Sequence, residues 1–143
     1  MSLFDTMMGF ANQFKRESGL SKDKFERASK VSPCEEALRG ELALDIERDA
    51  PPRRLALLFS GEVQGVGFRW TNQSLAQERH LSGWVQNLPD GTVQMEIQGS
   101  PRALAAHLER IHAYYARFGN LIWLESADAI PLRAGEDRFD VRC

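Results

Sequence analysis

The sequence is poor in three features that would each point to a particular class of protein: cysteine, long apolar runs and a surplus of one charge. Its 143 residues include two cysteines, Cys34 and Cys143, which are far apart and form no Cys-x-x-Cys pair. This excludes a disulfide-rich framework. We expect two reduced thiols, and a disulfide between them is the alternative.

No apolar run approaches the ~20 residues that a membrane-spanning helix needs. The first fifteen residues are mixed in polarity and contain Asp5, so they lack the apolar segment of a secretory signal. The formal net charge is −2, and no overall basic field attracts nucleic acid or anionic lipid. We therefore predict a cytoplasmic protein with neither nucleic acid nor membrane as a partner, in which any anion site is local.

The composition that remains is that of a globular domain, with 43% hydrophobic and 27% charged residues. Pro51-Pro52 divides the chain, because proline fixes its own backbone angle, removes a donor and disfavours helix in the residue before it. We predict an N-terminal extension over 1–52, mostly helical or partly disordered and loosely attached, and a folded domain over 53–143.

The extension carries helical patterns. The second of three predicted helices is short and begins at Ser21. A third begins with a capping box over 32–35 and ends at Gly40, and segment 42–46 fits either a helix or a strand. The first helix is predicted from one apolar stripe formed by Leu3, Met7, Phe10 and Phe14.

The domain shows an ordered alternation of strands and helices. Strands are predicted over 55–59, 83–88, 92–98, 121–124 and 138–142, and helices over 71–79 and 103–118. Asp90-Gly91 is a tight-turn signal, and the alternation of Val93, Met95 and Ile97 with polar residues is typical of a half-buried strand. The order βαββαβ with a short fifth strand predicts an α+β, ferredoxin-like split βαβ sandwich, a fold that does not by itself define a function.

The segment Gly61–Arg69 joins the first strand to the next helix and contains three glycines. Such a loop can point backbone N–H groups inward at a helix N-terminus, which favours anions. Arg69 adds a planar, permanently charged fork suited to phosphate oxygens. The segment predicts a phosphate cradle, although glycine-rich turns also serve backbone geometry alone.

The segment Gly83–Val93 contains Asn87 just before the hairpin turn. An amide cannot act as a base near neutral pH, but its oxygen and NH₂ group can hold a water molecule in one orientation. Turn chemistry is the plainer interpretation of an asparagine at this place.

Together the two segments resemble the signatures of the acylphosphatase family, G-x-V-Q-G-V-x-F-R and G-W-V-x-N-x-x-D-G-x-V. Arg69 and Asn87 are eighteen positions apart, as in the family's catalytic pair. The likeness covers the domain over 53–143. The matching residues are Gly61, Val63, Gln64, Gly65, Val66, Phe68, Arg69, Gly83, Trp84, Val85, Asn87, Asp90, Gly91 and Val93.

The resemblance implies a hydrolase that cleaves carboxyl-phosphate mixed anhydrides, acyl phosphates such as acetyl phosphate, without a metal or cofactor. It implies that Arg69 binds two phosphate oxygens and that Asn87 positions the attacking water. The phosphate-binding loop would use the backbone N–H groups of Gln64, Gly65, Val66, Gly67, Phe68 and Arg69. For His80, His107 and His112, which share no ligand spacing, we expect surface or helix-packing roles.

Two positions depart from the family pattern. Arg79-His80 stands where the family commonly has Leu-Gly, so His80 is expected to take a left-handed conformation at some cost. Asn72 stands where the family often has threonine, with Thr71 before it. We therefore expect the contacts that support the catalytic amide to differ.

Three other functions fit parts of the pattern. The first is a non-catalytic module of this fold that binds a phosphate ligand. The second, an RNA-recognition domain, is disfavoured because Gln94, Glu96 and Gln98 stand where stacking aromatics are needed. The third is an accessory domain like those of larger carbamoyl-transferring maturation enzymes, disfavoured because the chain stops at Cys143.

The extension has one more specific hypothesis. Leu58 is expected to point away from the helix-covered face, and the apolar strand over 121–124 is expected beside the first strand, so the outer sheet face would carry an apolar patch. The stripe within 3–14 would cover this patch, in cis or from a second copy. The protein would then be a monomer or a homodimer formed through the extension.

Overall fold

The computed structural model describes residues 20–143. The predicted stripe within 3–14 lies outside the described residues. The elements that follow along the described chain are α1 (Lys22–Ala28), α2 (Pro33–Glu47), β1 (Arg53–Gly61), α3 (Phe68–Glu78), β2 (Ser82–Asn87), β3 (Val93–Gly99), α4 (Pro101–Ala116), β4 (Ile122–Ile130) and β5 (Phe139–Arg142).

The five strands form one sheet in the order β4-β1-β3-β2-β5. β5 runs parallel to β2, and the other neighbouring strands are antiparallel. This is the predicted α+β, ferredoxin-like arrangement, and the fold prediction is confirmed. The parallel pair places Gln86 opposite Arg142, so the last strand ends beside Asn87.

One hydrophobic core lies between the sheet and the helices. On β3 the predicted alternation is confirmed, because Val93, Met95 and Ile97 are buried while Gln94 is exposed. α3 packs over β2 and β5, and α4 lies beside it. The large side chains at the centre of this core are Leu55, Phe59, Phe68, Leu81, Leu104, Ile111, Tyr115 and Phe139.

The starts predicted for the second and third helices of the extension are confirmed. Ser21 accepts a bond from the Lys24 N–H group, and Ser32 accepts one from the Glu35 N–H group. The predicted end of α2 at Gly40 was wrong, and 42–46 is helical. A mid-helix glycine costs only about 1 kcal/mol, and burial of Leu42 in the core outweighs that cost.

The described part of the extension packs on the helix-covered side of the sheet. α2 lies against α4 and β4, and Leu38 and Leu42 belong to the same core as the domain. The Ser32 hydroxyl also donates to the Leu124 carbonyl of β4, at 2.7 Å. Loose attachment is therefore a wrong expectation for α2. Cys34, half-buried at its start, forms no disulfide with Cys143.

The outer face of the sheet holds a polar cluster as well as apolar side chains. Leu58 and Trp123 are half-buried there. At the other end, Arg54 is only 2% exposed and donates to Glu96 and, at 2.7 Å, to Glu136 of the β4–β5 loop. The loop after β4 therefore covers part of this face. Among residues 20–143, no helix is both long and apolar enough to cross a membrane.

Candidate active site

The loop between β1 and α3 is shaped by two glycines. Gly65 and Gly67 have φ angles of 78° and 73°, the left-handed region in which other residues are strained. A β-carbon added at either glycine would meet no atom within 4 Å. The requirement for glycine is thus conformational, and the space in front of the loop is open.

The N-terminus of α3 has no side-chain cap. Its N-cap residue is Gly67, whereas the N-caps of the other three described helices are serines that accept a backbone N–H bond. Within the described part of the chain, the N–H groups of 64–69 donate no backbone hydrogen bond. These donors and the positive end of the helix dipole favour an anion in front of this loop.

Arg69 lies in the first turn of α3 and is half-buried. Its Nη1 donates to the carbonyl oxygen of Arg142 at 2.9 Å, which ties the guanidinium to the end of β5. A guanidinium has five N–H donors in a fixed fork. One bond to the strand therefore orients the group and leaves donors for an anion.

Asn87 ends β2 on the same face as the buried Val85, the face that α3 covers. Its Oδ1 atom is buried and has no hydrogen-bond partner among the described residues. Such atoms normally bond to protein or water, so this one is ready to hold a water molecule. Asn87 directly follows Gln86, the partner of Arg142 in the sheet, so the structure brings Arg69 and Asn87 to the same end of the same strands.

Two side chains brace the loop in ways that the sequence did not reveal. Gln64 Nε2 donates to the carbonyl oxygens of Leu88 and Thr92, at 2.8 and 2.9 Å. The Tyr115 hydroxyl donates to the Val66 carbonyl at 3.1 Å, and burial raises its pKa so that it keeps its proton. One signal could have indicated the contact of Tyr115. Tyr115 lies in an apolar helical stripe, and the hydroxyl of a tyrosine buried in such a stripe needs a hydrogen-bond partner.

The start of the loop is held by Glu62. Its carboxylate accepts bonds from Arg27 Nη2 at 2.5 Å, from Asn120 Nδ2 at 3.1 Å and from the Leu121 N–H group at 3.3 Å. The bond from Arg27 is the main reason that the Glu62 pKa is lowered. Because Arg27 lies on α1, the extension contacts the start of the loop between β1 and α3.

The histidines occupy packing and surface positions. His107 is buried between α4 and α3, with Nε2 2.8 Å from Asn72 Oδ1, and burial followed by the charge of Arg79 lowers its pKa to about 4. His112 is buried beside Glu35, and His80 is exposed with a φ of 57°, the predicted left-handed conformation.

Asn72, the departure from the family pattern, braces α3. Its Nδ2 donates to the Phe68 carbonyl at 2.8 Å, and its Oδ1 accepts from His107. The amide of Asn72 therefore bonds within the helix layer rather than to Asn87. Among residues 20–143, no three His, Cys, Asp or Glu side chains are grouped closely enough to hold a metal ion.

The fold and this site together define a class: a small ferredoxin-like domain with an uncapped helix N-terminus, an arginine and an amide at one end of its sheet. A family model described as acylphosphatase matches residues 55–139. The acylphosphatase of Pediococcus pentosaceus is 40% identical over 78 residues, which cover 54% of this chain and 86% of that protein. The chain belongs to the acylphosphatase family.

Other relatives match over a shorter length. The acylphosphatase of Geobacillus kaustophilus is 49% identical over 61 residues, 43% of this chain and 65% of that protein. The match to the Methanospirillum hungatei acylphosphatase likewise spans 65% of that protein's length, at 42% identity. The chain thus spans slightly less than two thirds of these relatives.

Solved structures show the same domain. The acylphosphatase from Bacillus subtilis has 30% sequence identity and a TM-score of 0.51, and the match covers 63% of this chain and 98% of that one. HypF from Thermococcus kodakarensis has 25% identity and a TM-score of 0.54, over 64% of this chain but only 12% of HypF. The fold therefore occurs both as nearly a whole chain and as a small part of a longer one.

Proposed function

We propose that this protein is an acylphosphatase that hydrolyses acyl phosphates, such as acetyl phosphate, to a carboxylate and inorganic phosphate. One observation carries the proposal. A loop with unbonded N–H groups, the Arg69 guanidinium and the unpartnered oxygen of Asn87 meet at one end of the sheet. An acyl phosphate needs these three things: a phosphate cradle, a counter-charge and an oriented water molecule.

The phosphate group binds in the loop through the N–H groups of Gln64, Gly65, Val66, Gly67, Phe68 and Arg69. The Arg69 guanidinium binds two phosphate oxygens and neutralises their charge. Its bond to the Arg142 carbonyl holds the guanidinium in place before the substrate arrives. Phosphoryl transfer passes through a loose transition state, so positioning and charge stabilisation supply most of the rate enhancement.

Asn87 holds the attacking water in line with the bond that breaks. The water oxygen bonds to phosphorus while the bond from phosphorus to the acyl oxygen breaks, and the carboxylate leaves with the electron pair. An amide cannot accept the water proton, so a phosphoryl oxygen of the substrate takes it. The carboxylate is a weak base, so its departure needs no strong general acid.

Hydrolysis of acetyl phosphate by wild type, Arg69→Ala and Asn87→Ala tests this proposal. We expect each variant to lose at least ~10²–10³ in kcat/KM, because each removes a group that stabilises or aligns the transition state. Arg110→Ala is the matched control: Arg110 is exposed on α4 and takes part in no hydrogen bond or ion pair among the described residues, so the rate should be unchanged.

Near wild-type turnover in Arg69→Ala or Asn87→Ala would refute the assignment. Wild type that binds phosphate but hydrolyses no acyl phosphate would instead indicate the non-catalytic phosphate-binding module.

A further inference from the structure

The side chain of Gln64 connects the two halves of the proposed site. Gln64 lies in the phosphate loop, and its Nε2 atom donates to the carbonyl oxygens of Leu88 and Thr92. These two residues flank the tight turn that follows Asn87 at the end of β2. The loop and the strand end that carries Asn87 are thereby joined by one amide.

The two hydrogen bonds of Gln64 constrain the orientation of the hairpin as well as its distance from the loop. The Leu88 carbonyl also accepts from the Gly91 N–H group at 3.2 Å, and the Thr92 carbonyl accepts from the Leu88 N–H group at 2.9 Å. Gln64 therefore bonds to both carbonyls that close the hairpin. A primary amide has two N–H donors, and each has its own acceptor here, so the hairpin is held at two points.

The other braces of the loop act elsewhere. Tyr115 holds Val66 to α4, and Glu62 holds the start of the loop to Leu121. Among residues 20–143, Gln64 makes the only side-chain hydrogen bonds between the loop over 62–67 and the hairpin over 87–93. The relative placement of phosphate and water would depend on this side chain.

We propose that Gln64, through its side chain, is a positioning residue for the hydrolysis. It holds the hairpin so that Asn87 directs its water at the phosphorus atom in the loop. This inference rests on the proposed acylphosphatase function and assigns a side-chain role beyond the backbone N–H role of Gln64. The phosphate is gripped by the loop N–H groups and Arg69, so losing the side chain affects the alignment of water more than the binding of phosphate.

Gln64→Met provides the test, because methionine has nearly the same length but no N–H donor. We expect kcat for acetyl phosphate to fall about tenfold or more, since small misplacements of reacting groups have large effects on rate. The inhibition constant of inorganic phosphate should change by less than about threefold, because ground-state binding is retained. The melting temperature is measured alongside.

Gln94→Met is the matched control. Gln94 lies on β3 two positions after Thr92, is exposed, and its side chain has no hydrogen-bond partner in the described part of the chain. Its kcat and phosphate inhibition should equal those of wild type. A second variant, Gln64→Asn, keeps the amide but shortens its reach by one methylene, and the same loss of kcat is expected.

Unchanged kcat in Gln64→Met or in Gln64→Asn would overturn the inference while leaving the proposed function intact. A loss of phosphate inhibition in proportion to kcat would also overturn it, because Gln64 would then act on the grip of the loop. Wild type without acetyl phosphate hydrolysis would remove the proposed function itself.

Discussion

At the scale of single residues, the motif picked out Arg69 and Asn87, which lie at the same end of the sheet, but not the contacts around them. Arg69 and Asn87 were predicted from two short segments, because the family signature fixes residue types at fixed spacing. The bonds of Gln64, Glu62 and Tyr115 were not predicted. Their partners lie between 24 and 59 residues away, and such pairs depend on strand register and helix placement.

The buried His107 shows how a side chain outside the motifs affects stability. Burial lowers its pKa from an ordinary 6.5 to about 4, so it is neutral in the folded protein, and the Nε2 proton bonds to Asn72. Between pH 6.5 and pH 4 the unfolded chain binds a proton that the folded chain does not. Stability should therefore fall as the pH falls through this window.

We predict that His107→Gln reduces this loss of stability. Glutamine keeps an N–H donor for Asn72 but does not titrate. In wild type, His107 should lower the free energy of unfolding by about 3 kcal/mol once the pH is below both of its pKa values. Urea unfolding at pH 7 and pH 4.5 measures it, with the exposed His80→Gln as the control. Identical pH dependence in wild type and His107→Gln would contradict the packing role assigned to His107.

At the scale of elements, prediction succeeded where the pattern is strong and failed where packing decides. The alternation on β3 and the serine caps of α1 and α2 are local signals, and both were found. β4 extends to Ile130, well beyond the predicted 121–124. Its second half places only two small residues, Ala127 and Ala129, opposite the buried Leu57 and Leu55, so the apolar signal there is weak.

The packing of α2 gives a prediction with an internal control. Leu42 is fully buried in the main core, whereas Leu44, two positions later on the same helix, is 48% exposed. Leu42→Ala should lower the free energy of unfolding by about 2–5 kcal/mol, and Leu44→Ala by less than ~0.5 kcal/mol. Chemical denaturation measures both. Equal, small effects would show that α2 does not share the core of the domain.

At the scale of the whole molecule, the extension adds a layer to a family domain. The region matched by the family begins at residue 55, yet α2 contributes to the same core and α1 contacts the loop between β1 and α3 through Arg27. An amphipathic pattern predicts that one side of a helix is buried, but not which surface buries it. For this reason the sequence did not place α2 on the helix-covered face.

The hypothesis that the stripe within 3–14 covers the outer sheet face stays a prediction. The same holds for a homodimer formed through the extension and for the division of the chain at residue 52.

The buried cluster of Glu35, Arg39 and His112 fastens α2 to α4. Burial alone would raise the Glu35 pKa, but His112, whose Nδ1 lies 3.5 Å from the carboxylate, and Arg39 lower it.

The most direct measurement of the central claim is an NMR titration of ¹⁵N-labelled protein with inorganic phosphate. We expect the largest shifts at the backbone N–H groups of 64–69 and at the side-chain NH₂ group of Asn87, and we expect Arg69→Ala to abolish them at the same phosphate concentration. Largest shifts elsewhere on the protein, or saturable shifts that persist in Arg69→Ala, would contradict it.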